Sequence, residues 1–436
     1  MCLISSFGEL LLECAPVMTA PSFQTFLMVA TGWLFAWRRT VTGIIQAAGV
    51  VGRKHHSAFH RFFAAARWSL DELGLTLLKL VLCHFGADET VSLAVDDTLA
   101  RKRGLKIFGV GMHLDPALSC RRTKVVNWGH SWVLLGVLVR FPFAKDRWFC
   151  LPILFRLYRS KQTVTKRGGV YRTRPELAVE MLQRLCQRYP ARRFHLLGDS
   201  AYSGRSVVRQ LPEHCDFTGR LHLDARLYEP APPRSGRGRP RVKGARLATP
   251  RQMLDGRCRH EMLDIYGRHD RVRLSTTAAL WYPSAGSRLL RVVAVEPLRG
   301  GRKPQAFFST CADADAVQVL TWYAMRWSLE VAIQESKGRL GFEEPQGWTK
   351  QAVERTAPMA MLLYGLIVLW FAREGHRHLR FPNRPWYRQK RHASFADMLT
   401  TLRRCCLKQT FLNTPEWNPG SLKIMHSLVE LCSRAA

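Results

Sequence analysis

The chain has 436 residues, of which 47% are hydrophobic and 23% charged. That composition supports a large packed core without disulfide or metal staples and excludes a mainly disordered polypeptide; at about 150 residues per domain it suggests roughly three domains. Sixty-six Lys and Arg against thirty-three Asp and Glu leave a formal charge of +33, a self-repulsion that calls for a polyanionic partner, nucleic acid before an anionic membrane.

The membrane alternative is weak. The longest apolar run, Met359 to Ala372, is fourteen residues interrupted by Gly365, too short to cross a bilayer. Phe26 to Trp37 is shorter still, with no charged leader or small-residue cleavage site around it. Twelve cysteines are scattered without a Cys-x-x-Cys motif, apart from the adjacent Cys405 and Cys406. They read as reduced, core-filling thiols of a cytoplasmic protein, not as a zinc site.

Residues 1–85 read as helical, with apolar periodicity over Thr40 to Gly49, Ser57 to Arg67 and Leu70 to Cys83. Between the first two lies the basic turn Gly52-Arg53-Lys54-His55-His56-Ser57, ending in an N-cap residue. Two short helices around such a turn fit a helix-turn-helix and equally a plain helical bundle. Residues 1–85 are thus predicted to be a helical DNA-binding domain.

From Val91 the period changes. Val91 to Val95 predicts a buried strand running into Asp96-Asp97-Thr98, and strand-like stretches follow at Ser131 to Phe141 and Trp148 to Tyr158. A helix is predicted over Arg174 to Tyr189, with Leu177, Met181, Leu182 and Leu185 on one face, then a strand Phe194 to Gly198 ending in Asp199. Residues 86–223 therefore read as the first part of a mixed α/β domain. Residues 224–311 predict a β-rich insertion, with strands at Val272 to Tyr282, Arg288 to Val295 and Gln305 to Ser309. The insertion opens with a basic arm, Arg234 to Arg251 carrying seven basic residues and no acid. Helical periodicity returns over 312–374, the second part of the α/β domain, and 375–436 is a basic, aromatic C-terminal region with an amphipathic helix near Phe395 to Cys405.

Three acids stand out. A carboxylate on a buried strand is costly unless paired, hydrogen-bonded or bound to metal. Asp96 or Asp97 and Asp199 each follow an apolar strand, where a turn or cap is the commoner role for a lone Asp. The third element is Tyr323-x2-Arg326-x3-Glu330-x6-Lys337. At about 100° per residue its four side chains fall within roughly 60° on a helix, whereas Glu335 lies about 120° from Tyr323. Glu330 therefore shares a stripe with Arg326 and Lys337, and Glu335 does not. Alone, Arg326 and Glu330 would be an ordinary surface ion pair; with two strand-end aspartates on so basic a chain, they point to a site.

At these residues the sequence resembles the DDE transposases of bacterial insertion sequences. Tyr323, Arg326, Glu330 and Lys337 match the third-acid signature; Gly198-Asp199-Ser200-Ala201-Tyr202 resembles the second-acid motif. Asp96-Asp97-Thr98 with Arg101-Lys102-Arg103-Gly104 resembles the first. The resemblance covers roughly residues 55 to 372. It implies an RNase H-like catalytic domain split by the β-rich insertion, behind a helical N-terminal domain. It further implies Asp96, Asp199 and Glu330 as catalytic metal ligands for Mg²⁺, with Mn²⁺ able to substitute. Both registers of the first acid fit the family; spacing to the downstream basic-Gly pair favours Asp96 over Asp97. Adjacent strand residues face opposite sides, so only one can be the ligand.

The chemistry is coherent without the name. Two Mg²⁺ about 3.5–4 Å apart stabilise the attacking and leaving oxygens of phosphodiester transfer, and hard carboxylate oxygens suit that ion. Arg326 and Lys337 would hold a neighbouring phosphate, and Tyr323 would donate a hydrogen bond. In the arm, Arg237-Gly238-Arg239-Pro240 resembles an AT-hook, placing Arg237 and Arg239 in a narrow minor groove; a flexible basic linker is the plainer alternative. Trp281, Phe307 and Phe308 fit stacking on an unpaired base, with core packing the simpler reading; His195 reads as a core or strand residue.

The resemblance implies cut-and-paste transposition by a protein of the bacterial nucleoid. Terminal inverted repeats are bound, the ends cleaved, and the 3′ ends transferred into target double-stranded DNA by a homodimer in the synaptic complex. Two rivals are a transposase-derived DNA-binding protein that no longer cuts and an RNase H-like nuclease or resolvase without strand transfer.

Overall fold

A computed structural model describes residues 3–86, 89–120, 122–233, 239–265, 268–298, 302–381, 390–412 and 419–435. Arg237 of the basic arm and Trp386, Tyr387 and Arg388 of the tail lie outside the described residues. Five helices come first: α1 (Ser5–Leu12), α2 (Ala20–Phe35), α3 (Val41–Ala48), α4 (His56–Ala64) and α5 (Leu70–Phe85). Thr40 caps α3 by accepting the Gly43 amide, and Ser69 caps α5 by accepting that of Glu72. Asp71 and Glu72 in the first turn of α5 suit the positive end of its dipole. In the basic turn, His55 and not Ser57 caps α4: its imidazole accepts the Ser57 amide, so the helix starts two residues earlier than a Ser57 cap would set it.

The strands follow: β1 (Thr90–Arg101), β2 (Gly111–Leu114), β3 (Val126–Phe141), β4 (Ala144–Tyr158), then helices α6 (Lys161–Arg167) and α7 (Arg174–Arg188). Next come β5 (Arg193–Gly198), α8 (Arg205–Val208), β6 (Cys215–Leu221), α9 (Pro250–Asp255), β7 (Arg259–Ile265), β8 (Arg268–Leu280), α10 (Tyr282–Ala285), β9 (Leu289–Pro297) and β10 (Gln305–Ser309). The chain ends in α11 (Ala316–Met325), α12 (Trp327–Leu340), α13 (Lys350–Arg373), α14 (Phe395–Leu412) and α15 (Pro419–Ala435).

All these strands join one mixed sheet in the order β2-β3-β1-β5-β6-β10-β9-β8-β7, with β4 also paired to β3. β1 is antiparallel to β3 and parallel to β5, and β5 is parallel to β6. β10 then pairs antiparallel with both β6 and β9, so the strands of 259–309 extend the same sheet. β8, β9 and β10 keep a small core of their own with α11, built on Val272, Leu274, Val293, Phe307 and Val319.

The first strand is longer than its apolar run. Residues 93–101 pair with 137–129 of β3, whereas β5 accompanies only 90–94. Asp96 and Asp97 therefore lie inside β1, on the stretch of its edge that β5 no longer covers, and not at its end as the hydrophobicity suggested. Strand alternation sorts their neighbours. Ala94 packs with Leu197, Met325 and Leu329 under α11 and α12, while Leu93 and Val95 join the main core with α5 and α7.

Two glycines mark where backbones must meet. A Cβ on Gly74 of α5 would sit 1.7 Å from the Ile153 carbonyl oxygen, so α5 lies directly on β4. Gly341 ends α12 in the left-handed conformation at φ 61°, favoured by glycine, and turns the chain back towards β1. α13 is long and apolar enough to cross a membrane, yet its apolar window is completely buried inside the protein, packed against β4, α5 and α12. All eleven described cysteines are free. Phe307 and Phe308 are buried, and Trp281 meets Phe308 edge-on at 5.4 Å, so these aromatics serve packing. His195 is buried and hydrogen-bonded to the Thr218 hydroxyl.

Candidate active site

Asp96 on β1, Asp199 just after β5 and Glu330 in the first turn of α12 come from three elements that the sheet and its covering helix bring together. Asp199 sits in a tight turn. Its Oδ1 accepts the Ala201 amide at 2.9 Å, and its carbonyl accepts the Tyr202 amide and the Ser203 hydroxyl. Such an Asx-turn holds the carboxylate against its own backbone.

Arg326 links the other two acids. The helix predicted to run unbroken through Tyr323 and Lys337 is divided at this residue. Arg326 stands between α11 and α12 with helical φ and ψ, and i→i+3 bonds from Arg326 N to the Tyr323 carbonyl and from Leu329 N to the Arg326 carbonyl tighten the turn. The stripe survives the tightening. Arg326 Nη2 donates to Glu330 Oε1 at 2.6 Å and Nη1 to Asp96 Oδ2 at 2.7 Å. The guanidinium thus spans the first and third acids, with its side chain only 11% exposed. Burial alone would lower its pKa; Asp96, Tyr323 and Glu330 outweigh that and hold it above the ordinary arginine value.

Burial pushes the Asp96 carboxyl up to about 7, Arg326 opposing the shift and Asp199 adding to it by repulsion. That repulsion shows the two carboxylates to be electrostatic neighbours, although Arg326 acts on Asp96 more strongly than Asp199 does. Asp97, the alternative first acid, also feels repulsion from Asp199, but its carboxylate is engaged by other partners: it meets Arg174 at 3.2 Å and accepts the Tyr202 hydroxyl at 3.2 Å.

The remaining stripe residues are engaged around the acids. Tyr323 packs against Phe307 at 4.6 Å, with the Arg326 guanidinium 5.5 Å from its ring centroid. Lys337 donates to the Leu99 carbonyl at 2.5 Å and meets Glu343 at 3.1 Å, bracing β1 three residues beyond Asp96. Lys102, from the basic stretch that follows the first acid, donates to the carbonyls of Glu343 and Pro345. Glu335 pairs with Arg339, away from the acids. Arg239 is exposed on the arm. Sequence reasoning assigned no role to Arg174, which no local pattern marks, and quoted Tyr202 only as the last residue of the second-acid motif, without a role of its own.

Among the described residues no three His, Cys, Asp or Glu side chains form a closed metal-binding cluster. The donor chemistry nevertheless suits a hard divalent cation. Asp96, Asp199 and Glu330 offer only carboxylate oxygens, and a bound cation would offset the burial and the Asp199 repulsion that raise Asp96.

A large mixed sheet carrying converging aspartates beneath a helix is consistent with a DDE nuclease fold. The chain matches the family model of the DDE superfamily endonuclease over residues 26–279, more than half of its length, and belongs to that family. The match takes in Asp96, Asp97 and Asp199 and ends before Glu330. A search of curated proteins returned no match.

Proposed function

We propose that this endonuclease-family protein is the transposase of an insertion sequence, with Asp96, Asp199 and Glu330 holding the catalytic Mg²⁺ ions. The observation that carries the reading is the Arg326 bridge, which brings the Tyr-Arg-Glu-Lys stripe against the first acid across 230 residues of sequence. Bound divalent ions supply stabilisation of the attacking and leaving oxygens of an in-line phosphodiester displacement.

The chain's own residues do the rest. Asp199 is held by its turn and Asp96 by the β1–β3 register, so both carboxylates are presented on rigid backbone. Arg326, Lys337 and Tyr323 bind and orient phosphates on either side of the scissile bond, Arg326 exchanging its carboxylate partners for phosphate oxygens. Arg237 and Arg239 follow the minor groove of the end DNA, and residues 1–85 recognise the terminal inverted repeats. The charge of +33 supplies salt-dependent affinity for the DNA backbone. Two ends are cut and their 3′ hydroxyls joined to target DNA by a homodimer.

The test is a cleavage and strand-transfer assay with Mg²⁺ and DNA carrying the repeats that flank the gene, comparing wild type with Asp199→Asn. Nicking at the repeat ends followed by joining to a plasmid, absent in the variant, is the expected result. Tight binding without cleavage in Mg²⁺ or Mn²⁺ would replace this reading by a non-cleaving DNA-binding derivative. Cleavage without joining, whatever the end sequence, would replace it by a simple nuclease.

A further inference from the structure

The paired aspartates of β1 divide into two roles, and the second has a site of its own. Asp97 lies on the opposite face of the strand from Asp96 and enters a half-buried polar cluster made by three elements. Its Oδ1 accepts the hydroxyl of Tyr202, a side chain with no exposed surface, at 3.2 Å. Its Oδ2 lies 3.2 Å from Nε of Arg174, the first residue of α7. Arg174 is itself fixed from two other strands: its Nε donates to the Ser131 hydroxyl of β3 at 3.0 Å, and the guanidinium lies 4.2 Å from the ring centroid of Tyr158 on β4.

Both ends of this cluster reach the acids of the active site. The Asp97 amide donates to Asp96 Oδ1 at 2.8 Å, so the backbone that orients Asp96 is the one Asp97 anchors. Tyr202 closes the Asp199 turn, its amide bonded to the Asp199 carbonyl. The path from one acid to the other is therefore Asp96, the Asp97 amide, the Asp97 carboxylate, the Tyr202 hydroxyl, the Tyr202 amide and Asp199. β5 does not pair with this part of β1, so no strand hydrogen bond fixes that separation and the side-chain bridge takes its place.

We propose that Asp97, with Tyr202 and Arg174, is a positioning unit that sets the spacing of Asp96 and Asp199 and binds no metal itself. Were Asp97 the ligand, the buried Tyr202 hydroxyl would lose its partner, at the cost of an unsatisfied buried donor, and the Arg174 guanidinium would lose its carboxylate. The proposal rests on the assignment of Asp96 and Asp199 as metal ligands in the function proposed above.

The experiment uses the full chain and its Asp96→Asn, Asp97→Asn, Tyr202→Phe and Asp97→Asn/Tyr202→Phe variants, each checked for folding by thermal denaturation. Mn²⁺ binding is followed by electron paramagnetic resonance, and cleavage of end DNA by its kcat and KM. Asp96→Asn is expected to abolish Mn²⁺ binding. Asp97→Asn and Tyr202→Phe should keep Mn²⁺ affinity within about threefold while kcat falls about ten- to a hundredfold at unchanged KM, the usual range for residues supporting a metal ligand. The double variant should be no slower than Asp97→Asn alone, because both changes cut one bridge. Loss of Mn²⁺ binding in Asp97→Asn equal to that in Asp96→Asn overturns the proposal, as does a double variant whose loss is the product of the two single losses. If Asp97→Asn does not fold, Tyr202→Phe, which removes one hydroxyl, carries the test through its kcat and KM. Unchanged Mn²⁺ binding in Asp96→Asn overturns the metal assignment instead, and the double-variant comparison still decides the bridge.

Discussion

Replacing Arg326 by Gln removes the guanidinium that spans Asp96 and Glu330, and the consequence follows from the burial of the three groups. Two charge-assisted hydrogen bonds are lost, at 2.7 and 2.6 Å. The Arg326 and Asp96 side chains are 11% and 18% exposed, so this half of the bridge behaves as a buried pair. Deleting one partner of such a pair costs ~3–5 kcal/mol. Glu330 is 33% exposed, and water screens its share to ~1 kcal/mol or less. Asp96 can escape part of the penalty by taking up a proton, so the lower end, about 3 kcal/mol, is the expected loss. An unfolding entropy of about 2.1 cal/mol/K per residue gives ~0.9 kcal/mol/K for a chain of this length, and hence a melting shift of about 3 °C. Thermal denaturation in metal-free buffer and again in millimolar MgCl₂ measures it. The variant should melt lower without metal and gain more from Mg²⁺ than wild type, because its carboxylates are no longer shared with an internal cation. A variant that melts within about 1 °C of wild type, or that gains no more from Mg²⁺, would show that Arg326 does not bridge the two acids.

Two further predictions concern the frame around the site. Burial holds the His195 imidazole down to about 4, Asp216 opposing the shift. Its neutral form is thus favoured in the folded state relative to an unfolded pKa of about 6.5, and the stability this contributes, about 3 kcal/mol, is present above pH 6.5 and lost as pH falls towards 4. Urea denaturation from pH 7 to pH 4 should show a shallower acid loss in His195→Gln than in wild type; identical pH slopes would contradict it. Gly74→Ala places a Cβ 1.7 Å from the Ile153 carbonyl oxygen, so α5 must lift off β4. A loss of ~1–3 kcal/mol is expected from overpacking, and a variant as stable as wild type would show that α5 is not seated as described.

What the sequence revealed follows the range of the interactions involved. The Tyr323–Lys337 stripe was legible because helical spacing is local, and it placed Glu330 beside Arg326 and Glu335 away from it even though the helix tightens at Arg326. Asp199 was legible because its turn lies within the four residues after it. The length of β1 was not, because residues beyond Val95 are held by register with β3, some thirty-five residues further on. β6 and β7 escaped notice because Asp216 and Arg220 in one, and Arg259, His260 and Glu261 in the other, break the apolar run that marks a buried strand. Arg174 reaches Asp97 only through the packing of α7 on the sheet, which no sequence pattern announces. The position of Lys337, turned to the Leu99 carbonyl and Glu343, depends likewise on the loop that Gly341 folds back.

The most direct test of the central claim is Mg²⁺-dependent cleavage of end DNA by Glu330→Gln beside Glu335→Gln. The two changes remove the same charge from the same helix five residues apart. Glu330 meets Arg326 and through it Asp96, whereas Glu335 meets only Arg339 among the ion pairs. Glu330→Gln should abolish cleavage while leaving DNA binding largely intact, and Glu335→Gln should cleave at near wild-type rate. Equal loss from both changes, or cleavage retained by Glu330→Gln, would contradict that claim.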